Sequence, residues 1–137
     1  MKLDVWKKSI KLFKLVNELF SDTKTITYKL KNQVLDSTQS ISSNIAEGYC
    51  RRHLNEYIQY LYIALGSTGE TMTRIIGLKV MEFINDDEFN NFYELHYEVE
   101  NKLIALLKSL EKKRDNKEWS DRINEDRVKY LHNDIDS

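Results

Sequence analysis

A chain of 137 residues, 41% hydrophobic and 31% charged, is sized for one domain with a core and a solvated surface. The absence of proline and the presence of only four glycines exclude a turn-rich β architecture and favour long helices. No apolar run reaches the length of a membrane span, the N-terminus lacks the apolar centre of a signal peptide, and the single cysteine, Cys50, cannot form an intrachain disulfide. We therefore expect a cytoplasmic protein with no membrane partner.

The net charge of −1 hides an uneven distribution along the chain. Residues 1–57 carry 10 Lys or Arg against 6 Asp or Glu, residues 58–110 carry 4 against 8, and residues 111–137 carry 7 against 8. One interpretation is complementary packing of a basic and an acidic helical pair, or ordinary solvated faces. The other is a basic surface that binds phosphate groups or an acidic partner.

The first two predicted helices cover residues 3–20 and 28–49, where apolar residues recur at steps of three and four. A loop rich in hydroxyl groups separates them and offers Thr25 or Thr27 as an N-cap. Gly48 predicts a left-handed C-cap for the second helix. Alternatively, this helix continues to residue 52, and Glu47 and Arg51 then form an ion pair four residues apart.

The third and fourth predicted helices cover residues 54–83 and 87–112, and Asn85, Asp86 and Asp87 separate them and supply the N-cap. The fourth helix has the heptad spacing of left-handed bundles, carried by Phe89, Phe92, His96, Val99, Leu103, Leu106 and Leu110. Short connections force antiparallel neighbours. The prediction is an all-α, up-down-up-down antiparallel four-helix bundle over residues 1–112, with a charged extension over 113–137 that is partly helical or disordered.

Glycines are concentrated in the third predicted helix, which contains Gly66, Gly69 and Gly77. Each should cost roughly 1 kcal/mol relative to alanine in a helix interior. A cost of this size predicts close helix packing or a functional constraint at these positions.

The most specific stretch of the chain runs from residue 40 to residue 70. It begins Ser40-Ile41-Ser42-Ser43-Asn44-Ile45-Ala46-Glu47-Gly48, continues through Arg51, Tyr57 and Leu61, and ends Ile63-Ala64-Leu65-Gly66-Ser67-Thr68-Gly69-Glu70. This stretch resembles the family of 23S rRNA intervening sequence proteins. The family pattern is approximately S-I-P-S-N-I-A-E-G, a nearby arginine, and an aromatic-rich helix with I-A-x-G-S-x-x-E. Ser42 departs from it, because the family usually has proline there.

The resemblance implies a four-helix bundle over about residues 3–110. Members of the family are associated with insertions in ribosomal RNA genes. Relatives include the accessory variability determinant of diversity-generating retroelements, which resembles a pentameric bundle that binds nucleic acid and a reverse transcriptase. For this chain the resemblance therefore implies a homo-oligomer, specifically a pentamer, with RNA or DNA and a reverse transcriptase as partners.

The three histidines and the single cysteine do not follow the patterns of a metal site. None of His53, His96 and His132 follows a glutamate by three residues, as a di-metal carboxylate bundle requires. Cys50 and His53 fall short of the four ligands of a zinc site, unless subunits share one. We expect His96, which lies in the heptad stripe, to be a core or interface residue. The sequence thus predicts no enzyme, no metal and no cofactor.

Two sets of candidate site residues remain. A polar network between helices 2 and 3 would either fix their register or contact a partner or RNA, and its members are Asn44, Glu47, Arg51, Ser67 and Glu70. A basic set would contact phosphates, and its members are Lys7, Lys11, Lys14, Arg51 and Arg52.

Broad apolar margins predict self-association. Val5, Leu12, Val16 and Leu19 lie beside the main stripe of helix 1, and Tyr57, Tyr60, Tyr62 and Ile75 flank that of helix 3. Because a four-helix monomer cannot easily cover both margins, we expect an oligomer. A head-to-tail ring would bring basic and acidic halves together at every interface.

Two functions are compatible with these observations. The leading hypothesis is a non-enzymatic oligomeric bundle that binds nucleic acid or a nucleic-acid enzyme such as a reverse transcriptase. The alternative is a structural or protein-interaction bundle with no nucleic-acid role, which the overall charge favours.

Overall fold

The computed structural model describes residues 4–21 and 26–117, and within these ranges it contains helices and no strand. The helices are α1 (Asp4–Glu18), α2 (Tyr28–Tyr49), α3 (Leu54–Val80) and α4 (Asp86–Asp115). Each helix packs on two neighbours, α1 on α2 and α4, and α3 on α2 and α4, with the most extensive contact between α2 and α3. The predicted all-α four-helix bundle is confirmed.

Ion pairs between the first and last helices show their relative direction. Asp4 contacts Lys102 at 2.6 Å, and Lys8 contacts Glu98 at 3.3 Å. Since the numbers rise along α1 while they fall along α4, the two helices are antiparallel. The Lys8–Glu98 pair also shows that part of the basic charge of the first helix serves packing against the acidic half of the chain.

The predicted helix starts are confirmed by their caps. Thr27 Oγ1 accepts a hydrogen bond from the Leu30 N–H at 3.2 Å. Asn85 Oδ1 accepts from the Glu88 N–H at 2.8 Å, and the Asn85 N–H donates to Glu88 Oε1 at 3.1 Å, which completes a capping box. Side-chain oxygens thus bind N–H groups that have no partner inside the helix.

Two helix ends lie earlier than predicted, because the chain closes them with turns. α1 ends at Glu18 instead of residue 20. α3 ends at Val80 instead of residue 83, since Glu82 adopts a left-handed conformation with φ of 64°. The N–H of Phe83 donates to the Leu78 carbonyl at 2.9 Å, as in a Schellman motif. α4 continues to Asp115, beyond the predicted 112, and residues 118–137 of the predicted extension lie outside the described residues.

The apolar margins that predicted an oligomer are mostly buried inside the protomer. Val5, Leu12, Val16 and Leu19 on α1 belong to the core, as do Tyr57 and Ile75 on α3. α1 packs on both α2 and α4, so these two neighbours cover its wide apolar face. The argument for self-association from these residues was therefore wrong, although Tyr62 remains exposed.

No close helix contact within the protomer explains the glycines of α3. A β-carbon added at Gly66, Gly69 or Gly77 would meet no heavy atom within 4 Å. Of the two predicted explanations, close helix packing is contradicted within the protomer at these three positions, and a functional constraint stays a prediction. Each glycine still weakens α3 by roughly 1 kcal/mol relative to alanine, and packing inside the bundle does not explain that cost.

Candidate polar seam and basic face

Gly48 is the glycine at which α2 and α3 approach each other closely. It lies inside α2, and none of the glycines has a positive φ, so the predicted left-handed cap was wrong. A β-carbon at Gly48 would lie 2.8 Å from Tyr60 Cβ, 3.0 Å from Tyr57 Cδ1 and 3.1 Å from the Tyr57 carbonyl oxygen. The motif glycine therefore lets the start of α3 contact the backbone of α2.

Polar side chains follow the contact between α2 and α3, which we call the α2–α3 seam. In its middle, Ser67 Oγ bonds to Ser40 Oγ at 2.9 Å, and Asn44 Nδ2 donates to the same Ser40 oxygen at 3.0 Å. One turn along, Thr71 Oγ1 lies 3.3 Å from Ser37 Oγ. These contacts are buried or half-buried, so each hydroxyl satisfies a group that would otherwise be costly to bury.

A second contact closes the seam where α2 ends. The Arg51 guanidinium donates to Glu47 Oε1 at 2.5 Å and to the Tyr60 hydroxyl at 2.7 Å, and it lies over the Tyr60 ring at 4.9 Å. Burial works to lower the pKa of Arg51, but its interactions with Tyr60 and Glu47 outweigh that effect and raise the pKa. The guanidinium therefore stays charged. Sequence reasoning missed Tyr60, whose only signal was its place among the tyrosines of α3.

A third contact lies at the other end of the seam. Arg74 bonds to Glu70 Oε1 at 2.9 Å and to Gln33 Oε1 at 3.2 Å. Glu70 was expected to join the polar network between helices 2 and 3, but its side chain is 52% exposed and points along α3 to Arg74. That expectation was wrong, because residue 70 lies on the outer side of the helix while residue 67 faces α2.

The register of α2 against α3 is continuous along the seam. Facing residues of two antiparallel helices in one register have numbers with a nearly constant sum. That sum is 107 or 108 in the three contacts Gln33–Arg74, Ser37–Thr71 and Ser40–Ser67. The five predicted network residues therefore belong to three separate contacts: Asn44 and Ser67 meet through Ser40, Glu47 meets Arg51, and Glu70 meets Arg74. Such an arrangement fixes how two helices align.

The predicted phosphate-binding residues separate into two groups. Lys7, Lys11 and Lys14 are exposed on the side of α1 that faces away from the buried Val5 and Leu12. We call these three lysines the basic α1 face. Their spacing of four and three residues aligns them along about 10 Å of helix axis. Arg52 is also exposed, at the connection before α3, whereas the bonds described above hold Arg51 within the seam.

His96 is a core residue, as its place in the heptad stripe predicted. It is 2% exposed, and its Nε2 lies 2.7 Å from the Thr68 carbonyl oxygen, which joins α4 to α3. Nδ1 faces Glu100 at 3.7 Å. Across residues 4–21 and 26–117, no three His, Cys, Asp or Glu side chains gather as metal ligands would, and no helix there has both the length and the apolarity of a membrane span.

Comparisons with known proteins agree with this architecture. The family model of the 23S rRNA-intervening sequence protein matches residues 1–105. Among solved structures, the chain is similar to a protein of unknown function from the S23 ribosomal protein family of Bacteroides thetaiotaomicron, with a TM-score of 0.70 and 23% sequence identity. The match covers 76% of this chain and 98% of that one, and at this identity it supports the fold alone. No curated protein matches the chain.

The family match includes every element that builds the α2–α3 seam, namely the stretch from Ser40 to Gly48 and the facing part of α3. It also includes α1 with its basic face and most of α4. The chain belongs to the family of 23S rRNA-intervening sequence proteins.

Proposed function

We propose that this protein is a non-enzymatic, oligomeric helical bundle of the cytoplasm that binds nucleic acid through the basic α1 face, directly or together with a nucleic-acid enzyme. The observation that carries the proposal is the common exposure of Lys7, Lys11 and Lys14 on the outermost side of α1. Three ammonium groups in a row match the regular negative charge of a phosphate backbone, which attracts lysine without regard to base sequence.

The position of these lysines distinguishes them from the structural cations of the same helix. Lys8 pairs with Glu98 on α4 and thereby helps to hold the bundle together. Lys7, Lys11 and Lys14 are exposed on the opposite side of α1 from its buried residues, where a ligand in solution can reach all three. α1 and α3 begin at the same end of the bundle, and the exposed Arg52 lies at that end.

The family description supports this proposal, because its members are named for sequences that intervene in 23S rRNA. RNA is accordingly the first ligand to test. A reverse transcriptase is the enzyme partner that the sequence resemblance implies, and in that version the bundle would reach nucleic acid through the enzyme. The direct version makes the sharper prediction, since it needs only the chain itself.

An electrophoretic shift at low salt tests the direct version. Single-stranded RNA should be retarded by the wild type and released when Lys7, Lys11 and Lys14 are all changed to Gln. The matched control changes Lys29, Lys108 and Lys112 to Gln, which removes the same charge from exposed positions elsewhere. If no RNA or DNA is retarded by the wild type, or if both triple variants bind equally, direct binding by the basic α1 face is contradicted.

The oligomer is proposed as a ring of five, a number that comes from the family resemblance alone. Support for a head-to-tail contact comes from the basic first half and acidic second half of the chain, which such a contact would bring together. Light scattering in moderate salt measures the mass directly. A mass of 16.3 kDa would contradict any oligomer, and a mass that is no multiple of five chains would contradict the ring size.

A purely protein-binding role is the second candidate, and one surface of α4 favours it. Phe89, Tyr93 and Tyr97 stack along the helix with ring centroids 6.2 and 6.3 Å apart, and Tyr93 and Tyr97 are about half exposed. Exposed tyrosines are enriched at protein interfaces. The acidic residues around them, Glu94 and Glu100, disfavour a nucleic-acid ligand on this side of the bundle.

A further inference from the structure

The start of α2 places an exposed aromatic ring close to one end of the basic α1 face. Tyr28 is the first residue of α2, and it is 80% exposed. The last turn of α1 lies at the same end of the bundle, since Lys31 Nζ of α2 is 6.0 Å from the ring centroid of Phe20, two residues after α1. Lys14 is about 6 Å along the axis from the last residue of α1. The ring therefore lies near the Lys14 end of the lysine row.

Helix periodicity shows which side of α2 carries the ring. Lys31 faces α1, because its ammonium group reaches Phe20. Tyr28 precedes Lys31 by three residues, so its ring lies on the same side of α2. Lys29 is two residues from Lys31 and therefore lies on nearly the opposite side of the helix. The ring thus belongs to the side of α2 toward α1, whereas Lys29 lies on the side away from α1.

Uncharged residues on α1 continue from the ring alongside the lysines. Asn17, Phe13 and Ile10 precede Phe20 at steps of three, four and three residues, so they lie on the side of α1 toward α2. Ile10 is 40% exposed, and Asn17 is exposed as well. Ile10, Asn17 and Tyr28 therefore form an accessible uncharged row beside the basic α1 face. We call it the α1–α2 row.

The other exposed tyrosines of residues 4–21 and 26–117 lie away from this surface. Tyr62 is on α3 and its hydroxyl bonds to Glu111 of α4. Tyr93 and Tyr97 are on α4, close in sequence to Glu94 and Glu100. Within the described part of the chain, an exposed tyrosine beside a row of exposed lysines is thus found at Tyr28.

An aromatic ring beside a row of cations is the combination that binds single-stranded nucleic acid. Lysines attract the phosphates of a single strand and of a duplex alike. A ring adds affinity by stacking on a base, and it does so whatever the base, since every base has an aromatic face. In a duplex the neighbouring base pairs already cover those faces, and inserting a side chain requires the costly unstacking of a base step. The ring therefore favours single strands over duplexes.

We propose that the ligand of the basic α1 face is single-stranded nucleic acid, and that Tyr28 binds it by stacking on a base. The phosphates lie along Lys7, Lys11 and Lys14, and the bases turn toward α2, where they contact the α1–α2 row. This inference rests on the proposed function, because the lysines hold the strand beside the ring. It adds a selectivity that the lysines alone do not provide.

Fluorescence anisotropy with one RNA strand of unstructured sequence, and with the duplex formed by that strand and its complement, tests the stack. Tyr28→Ala should weaken binding of the single strand about tenfold and leave duplex binding unchanged. Tyr28→Phe keeps the ring and should keep the wild-type affinity. Because neither change removes a charge, the salt dependence of single-strand binding should stay that of the wild type. The same sequence as single-stranded DNA forms a second arm, in which a loss with either strand supports the stack.

The matched control is Tyr97→Ala, which removes a ring that is 59% exposed on α4 and should leave both affinities unchanged. Circular dichroism verifies that the helices remain in each variant. The inference is overturned if Tyr28→Ala binds the single strands as the wild type does, if it weakens single-strand and duplex binding equally, or if Tyr28→Phe shows the same loss. When the lysine triple variant alone loses affinity, the proposed function stands and the stack fails. A wild type that binds neither strand nor duplex contradicts both.

Discussion

Gly48 on α2 and Tyr60 on α3 approach so closely that a β-carbon at residue 48 would lie 2.8 Å from Tyr60 Cβ. The clash would involve the root of the tyrosine side chain and the Tyr57 carbonyl oxygen, neither of which can rotate away. We therefore expect Gly48→Ala to destabilise the protein by about 1–3 kcal/mol, in spite of the higher helix propensity of alanine. Chemical denaturation monitored by circular dichroism measures the change.

The control for this substitution is Gly77→Ala, in the interior of α3, where an added β-carbon meets nothing within 4 Å. Here only the helix propensity changes, and the free energy of unfolding should rise by roughly 0.5–1 kcal/mol. Equal effects of the two substitutions, in either direction, would show that the approach at Gly48 does not constrain the fold.

Glu82 closes α3 with a φ of 64°, a conformation that is unfavourable for a residue with a β-carbon. Glu82→Gly should remove this strain and stabilise the protein by roughly 0.5–1 kcal/mol, since glycine adopts the left-handed region freely. Glu82→Ala removes the same charge but keeps the β-carbon, and it should give no such gain. Thermal unfolding of both variants distinguishes a conformational effect from an electrostatic one.

The sequence predicted the helices well, because their starts depend on local chemistry. Thr27 and Asn85 cap the helices that follow them, and both are residue types that bind backbone N–H groups. The end of α3 was predicted three residues late, because Glu82 is a residue type that rarely marks a left-handed cap. Local propensity gives little indication of such an end.

The candidate site was less predictable, because its geometry depends on which face of each helix meets a neighbour. Ser67 and Glu70 lie three residues apart in one motif, yet one is buried in the seam and the other is exposed. Tyr57 was expected at an exposed margin but belongs to the core. The faces of α3 are determined by its packing between α2 and α4. The spacing of apolar residues alone does not show which neighbour each face contacts.

Burial separates the energetic roles of Ser67 and Glu70. Ser67→Ala should cost about 1 kcal/mol, because it removes a hydrogen bond to Ser40 from a buried position. Glu70→Ala should differ from the exposed control Glu94→Ala by less than about 0.5 kcal/mol, as exposed ion pairs contribute little. A larger loss at residue 70 than at residue 67, measured by denaturation midpoints, would contradict this assignment.

The contact between Asp4 and Lys102 predicts a dependence of stability on pH. The hydrogen bond from Lys102 lowers the pKa of Asp4 below 3.8, so the folded state favours the charged carboxylate. This contribution is present above pH 3.8 and is lost as the pH falls through the folded pKa. Lys102→Gln should therefore lower the melting temperature at neutral pH and have no such effect in strong acid. The same loss at both pH values would contradict an electrostatic origin.

The salt dependence of RNA affinity tests the proposed function most directly. For the wild type, the logarithm of the association constant with a single-stranded RNA, measured by fluorescence anisotropy, should fall linearly with the logarithm of salt concentration. The variant with Lys7, Lys11 and Lys14 changed to Gln should show a slope smaller in magnitude by about 2, which corresponds to three lost phosphate contacts. The Lys29, Lys108 and Lys112 control should keep the wild-type slope. A variant slope equal to that of the wild type would contradict the assignment of nucleic-acid binding to the basic α1 face.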